Sequence, residues 1–101
     1  MPSSRNVEFS HEAEADPREI LQYTDETWGE TQRDAYAAAL NDAFSQLAEY
    51  PELGPARPAL FSGCRVRRVQ EHVNVFRIRR GSVSVIRVLH SRVDTPMGMP
   101  E

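Results

Sequence analysis

Lysine is missing from the chain altogether: all 12 of its fixed cations are arginines. A guanidinium suits bidentate pairing with carboxylate or phosphate, so each basic position is a candidate for a directed contact as well as for solubility. Cysteine is nearly missing too. Cys64 stands alone, which excludes an internal disulfide and the stapled secreted folds, and favours a reducing compartment. No apolar run approaches the roughly 20 residues of a membrane-spanning helix. The opening MPSSRNVEFS carries no apolar stretch of the secretory kind. A cytoplasmic protein without membrane contact is therefore expected. Gly63 and Gly81 are isolated turn residues, so no glycine-rich phosphate loop is present. His11, His72 and His90 show no ligand spacing with Cys64 or with one another, and no metal or cofactor is expected. Cys64 has no base beside it in sequence and reads as an inert, buried thiol.

What is present is unevenly spread. The net charge of the 101 residues is −3, yet residues 1–56 hold three arginines against twelve carboxylates and residues 57–101 hold nine against three. An acidic half followed by a basic half implies a charged partner for the latter, either an acidic protein or a nucleic acid. The length suits one domain able to bury its own core.

The periodicity changes once. Asn6–Ser10 alternates as a short first strand. Two helix starts then compete: Ser10 as a cap, or Asp16-Pro17 with Glu19 as a capping box, giving either a turn before a helix at Pro17 or one helix kinked there. Ile20, Tyr23, Thr24, Thr27 and Trp28 share a face, with Trp28 expected in the core and Gly29 as the stop. After Gly29-Glu30-Thr31, a second helix from Gln32 to about Glu49 carries the stripe Tyr36, Leu40, Ala43, Phe44, Leu47, best explained as core. A link this short implies an antiparallel helical hairpin. Beyond the Pro/Gly-rich connector 51–63 come three alternating runs, CRVRRVQ, HVNVFRIRR and SVSVIRVLH, with turns expected at Glu71 and at Gly81-Ser82. The fold class is thus α+β, in the order β-α-α-β-β-β, a helical hairpin on one face of a mainly antiparallel sheet. Residues 1–94 form the domain and 95–101 a flexible tail.

Several residue groups, in this order and spacing, resemble the ParE branch of the RelE/ParE toxin superfamily. They are Ala15-Asp16 with Ile20 and Tyr23; Trp28-Gly29; Tyr36 with Leu40; Leu47, Pro51 and Leu53-Gly54; and the closing Val88-Leu89-His90-x-Arg92-x-Asp94. Pro17 departs from the leucine usual in that family. The resemblance implies the toxin half of a type II toxin–antitoxin pair, a non-enzymatic inhibitor of DNA gyrase. It further implies neutralisation by a ParD-like ribbon-helix-helix antitoxin, which alone would touch operator DNA. Trp28, Gly29, Tyr36, His90, Arg92 and Asp94 are then structural signature positions. The branch related in fold, RelE, instead cleaves mRNA on the ribosome without a metal.

Two roles stay open for the basic strands. Arg65, Arg67, Arg68, Arg77 and Arg79, with Arg80 in the hairpin, would form a patch for an acidic antitoxin segment. Alternatively, Arg65, Arg67 and Arg77 would clamp a phosphate with His90 as general acid. No tyrosine follows His90, and Glu71 is the only carboxylate in the three-strand region. His90 would otherwise anchor the strand end beside Asp94. CRVRRVQ is expected to be an open edge that a bound antitoxin would cover.

Overall fold

The computed structural model of the chain describes residues 6–91. The order is β1 (Asn6–Phe9), α1 (His11–Trp28), α2 (Glu30–Glu49), a 3-10 turn Pro51–Leu53, β2 (Cys64–Val69), β3 (His72–Arg79) and β4 (Ser82–His90). The sheet runs β1-β4-β3-β2, with β1 parallel to β4 and the other pairs antiparallel. Arg92, Asp94 and the tail 95–101 lie outside the described residues.

Of the two candidate starts for α1, Ser10 prevails. Its Oγ accepts from the Ala13 N–H at 3.0 Å and donates to the Ile86 carbonyl at 2.7 Å, so one hydroxyl caps the helix and ties it to β4. The helix runs on through Pro17, whose ring removes the donor that the Ala13 carbonyl would otherwise have used. The apparent capping box fails because the Asp16 side chain is committed elsewhere, to β4. The two helices are joined by Gly29 alone, where residues 29–31 were expected to form the link. Its φ of 96° and ψ of 174° define an extended backbone of the hand that only glycine adopts readily. Arg33 reaches Asp25 of α1 at 3.5 Å across this corner, and Glu30 and Asp34 on its own helix.

The core lies between the hairpin and one sheet face. Tyr36, Leu40, Ala43 and Leu47 of α2 meet Val69, Phe76, Val83, Val85 and Val88, all buried. Phe44, on the same stripe, is half-buried and packs edge-on against Phe9, with ring centroids 4.9 Å apart. Gly54 is fixed by packing: a Cβ there would sit 2.7 Å from the Phe76 ring and from the Val66 carbonyl.

Both strand turns have two residues. Gln70-Glu71 joins β2 to β3, with φ 52° at Gln70. Arg80-Gly81 joins β3 to β4, so Ser82 is already in the strand where a turn residue was expected. The β2 edge is also less open than expected. The connector returns along it, the Arg57 N–H donating to Cys64 O (2.8 Å) and the Val66 N–H to Pro55 O (3.0 Å). Its first half is thus covered by the chain itself, one of the ways proteins blunt an edge. Among the described residues no other backbone segment reaches the edge at Arg68.

Register positions the site. From Arg79↔Ser82 to Phe76↔Val85 the hairpin pairs regularly, but Val75 faces Arg87, leaving Ile86 as an extra residue in β4. A β-bulge of this kind shifts everything beyond it by one place and re-aims the side chains. It brings His90, where an unbroken ladder would have put Leu89, opposite His72. The bulge lies where β1 stops pairing with β4, and α1 takes over the edge. There Asp16 Oδ2 accepts from the Val88 N–H (2.8 Å) and from Arg87 Nε (2.9 Å), while Oδ1 accepts from Arg87 Nη2 (3.1 Å). A carboxylate holding one backbone donor and a bidentate guanidinium is strongly directional. The pairing raises the Arg87 pKa above its ordinary value, chiefly through the hydrogen bond to Asp16.

Candidate functional site

Between the tip of the hairpin and the β2–β3 turn lies a cavity of about 400 Å³. α1 contributes Tyr23, Thr24 and Trp28 to its wall, α2 contributes Gln32 and Tyr36, and the sheet contributes Glu71, His72 and His90. At its base three rings follow one another. The Tyr36 hydroxyl accepts from the Glu71 N–H at 3.1 Å, lies 3.3 Å from the Val69 carbonyl and is hydrogen-bonded to His72 Nδ1 at 2.5 Å. The His72 ring then meets His90 edge to face, with centroids 5.0 Å apart. The Ser91 N–H donates to Glu71 O at 2.7 Å, closing the end of the sheet beneath them.

Burial sets the charge state of this group. It raises the Tyr36 pKa and lowers that of His72, a shift that the neighbouring His90 reinforces and Glu71 opposes. Burial thus favours the neutral form of the His72 imidazole. The upper wall is different. Trp28 is 70% and Tyr23 65% exposed, and both stand in the cavity wall. Trp28 is thus not in the core. Among the described residues, no group of three or more His, Cys, Asp or Glu is placed to hold a metal, and no helix is long and apolar enough to cross a membrane.

A family model described as the ParE toxin of the type II toxin-antitoxin system parDE matches residues 7–95. The chain belongs to the ParE toxin family. Toxin ParE1 of Mycobacterium tuberculosis is 33% identical over 93 residues, covering 91% of this chain and 94% of its own. Toxin ParE of Escherichia coli is 34% identical over 84 residues, 82% of each chain. Among solved structures, a chain of the chromosomal ParDE TA system from P. aeruginosa matches with a TM-score of 0.74 at 16% identity, covering 86% of this chain and 96% of that one. A chain of the toxin–antitoxin complex RelBE2 from Mycobacterium tuberculosis matches at 0.64 with 22% identity, covering 89% and 94%. At those identities the likeness is one of fold, and the fold is the α+β RelE/ParE arrangement.

In this ParE-family chain the arginines do not form one patch. The register puts Arg65 and Arg67 beside Phe76 and Asn74 on the helix side, and Arg68 and Arg77 beside Val73 and Cys64 on the other. Arg65 Nη1 donates to the Gly54 carbonyl at 2.7 Å and to that of Glu52 at 3.2 Å. Arg67 Nη2 donates to Gln46 Oε1 at 2.7 Å. On the far face the Arg77 guanidinium lies over the Phe61 ring at 5.0 Å and Arg79 Nε donates to Ser84 Oγ at 3.0 Å. Arg68 Nε folds onto the Gln70 carbonyl at 2.7 Å.

The phosphate-clamp set is therefore dispersed. Arg77 and His90 are on opposite faces, and from His72, opposite His90, to Arg77 is about 16 Å of strand. The cluster that does assemble, Tyr36–His72–His90 beside Glu71, joins residues read as core, as unassigned and as strand punctuation. Its one sequence signal was a histidine at each end of a hairpin, and the bulge hides that pairing from residue counting.

Proposed function

We propose that this ParE-family chain is a non-catalytic inhibitor of DNA gyrase, held inactive in the cytoplasm by a ParD-like ribbon-helix-helix antitoxin. One observation carries the choice of a binding mechanism over RNA cleavage: Arg65 Nη1 and Arg67 Nη2 already donate to the chain's own carbonyl and amide oxygens, and Arg77 is on the opposite face from His90. Metal-free cleavage needs its phosphate clamp and its proton donor around one phosphate. Identity of 33–34% to proteins named Toxin ParE supports the same side.

For the antitoxin, Arg68, Arg77 and Arg79 are the candidates on the sheet face away from the helices, Arg68 and Arg79 exposed and Arg77 half-buried. Arg65 and Arg67 act there indirectly, by holding the connector and α2 in place. An acidic, mainly helical segment of the antitoxin fits that face, and operator DNA is reached only through the antitoxin.

The test pairs a purified gyrase supercoiling reaction with a translating-ribosome assay. The expected result is dose-dependent inhibition or trapped cleavage by gyrase, reversed by the antitoxin, with mRNA left intact. Cleaved mRNA that disappears in Arg67→Ala and His90→Ala variants would reassign the chain to RelE-like ribonucleases. Antitoxin binding with neither activity would make it a degenerate member.

A further inference from the structure

The cavity at the hairpin tip has a chemistry that neither helix packing nor the arginine face explains. In a chain with 12 arginines, none is among the cavity's described lining residues. Five of them carry aromatic rings: Tyr23, Trp28, Tyr36, His72 and His90. The Glu71 carboxylate is close enough to shift the pKa values of both Tyr36 and His72. The tip around it is acidic as well, since its one arginine, Arg33, is occupied by Asp25, Glu30 and Asp34. Arg68, close enough to act on Tyr36, is tied to the Gln70 carbonyl at 2.7 Å. A wall of π faces with a carboxylate and no arginine of its own is the environment that binds an organic cation. A phosphate-bearing partner would meet the wrong charge.

We propose that this cavity receives one arginine side chain of the toxin's protein target, its guanidinium stacked between Trp28 and Tyr23 and directed toward Glu71. The planar guanidinium combines stacking with a donor fork, and suits a carboxylate beside two rings better than an ammonium does. The volume lies near the small end of the roughly 300–1,000 Å³ range of ligand cavities, enough for one long side chain and its flanking backbone. The proposal rests on the reading of the chain as an inhibitor that docks on a protein. It places the target's contact on the acidic, aromatic tip, on the other side of the sheet from the face assigned to the antitoxin.

Trp28 is the sole tryptophan and stands in the cavity wall, so its fluorescence reports occupancy directly. The probe is the blocked tripeptide Gly-Arg-Gly, with Gly-Gln-Gly as the neutral control. A saturable response is expected for the arginine peptide, about tenfold stronger than for the control, and lost in Glu71→Arg. Tyr23→Ala, at an exposed position, serves as the second variant and should weaken binding without altering the fold. Equal responses to both peptides, or an arginine response untouched by both variants, would overturn the proposal. In the gyrase reaction the same variants should lose inhibition and keep antitoxin binding; retained inhibition would equally refute the target assignment. Because the peptide titration involves no gyrase, a wild-type chain that fails to inhibit gyrase while binding the arginine peptide would reject the gyrase reading alone.

Discussion

At the β4 edge Asp16 is 8% exposed, and its two oxygens take three donors, one from the Val88 backbone and two from Arg87. One strand away, Asn74 faces Val88 from β3 and is fully buried. Neither its amide nitrogen nor its oxygen has a hydrogen-bond partner among the described residues. Its neighbour across the other side of β3, Arg67, also has Nη1 unpartnered. The same helices thus cover a fully satisfied buried charge and an unsatisfied buried amide. The difference separates two uses of buried polarity. Asp16 fixes geometry: it holds the edge where β1 has stopped, directly beyond the bulge that sets His90 against His72. Asn74 fixes nothing visible, and a buried amide without partners costs stability.

The largest effect should come from breaking the satisfied site. Asp16→Ala leaves the Val88 N–H and the Arg87 fork without an acceptor. Removing one partner of a buried pair costs about 3–5 kcal/mol; since the Arg87 side chain is 34% exposed, about 3 kcal/mol is expected by urea unfolding. Asp16→Asn keeps an acceptor for Val88 but opposes an amide to the guanidinium, and should fall between. The contact between the His72 and His90 rings, followed by NMR, should weaken in the alanine variant. A variant as stable as the parent, with that contact intact, would mean the bulge is held by Ser10 and the strands alone.

Asn74→Val inverts the comparison. It removes two unpartnered atoms and supplies a β-branched side chain to a central strand. A gain of about 1 kcal/mol is expected. Destabilisation would show that the amide is used in a way the described residues do not reveal.

Much of this was legible in the residues, and what was not has physical causes. The three β runs alternate strongly, so their spans were readable to within a residue or so, as was the core stripe on α2. Asp16-Pro17 left the helix start open because a capping box and a strand-edge clamp use the same residue types; only the distant Arg87 distinguishes them. Trp28 sits on the right helical face to be core, yet periodicity cannot say where the sheet beneath a helix ends. The arginines were taken as one patch because alternation assigns faces within a strand but not between strands. The pairing of His72 with His90 depends on a single inserted residue, and nothing in Val85-Ile86-Arg87 announces it.

The smallest effect concerns the ring cluster that this inserted residue creates. Burial, with His90 nearby, holds the folded pKa of His72 below the 6.5 of an ordinary histidine, against an opposing pull from Glu71. Between those two values the unfolded chain binds the proton and the folded chain does not, so stability rises with pH there. The contribution is complete above pH 6.5 and is lost as the pH falls from 6.5 toward the folded value. Melting temperatures measured from pH 7.5 to 5.5 should therefore decline in the parent and decline less in His72→Gln. Glutamine can still hydrogen-bond the Tyr36 hydroxyl but does not titrate. Asp16→Ala should flatten the profile as well, if the bulge is what brings His90 to His72, because loosening that end of the sheet lets water reach the imidazole. Parallel profiles in parent and His72→Gln would mean that His72 is solvated in the folded chain, and that the register set at Asp16 does not govern the charge of the cavity.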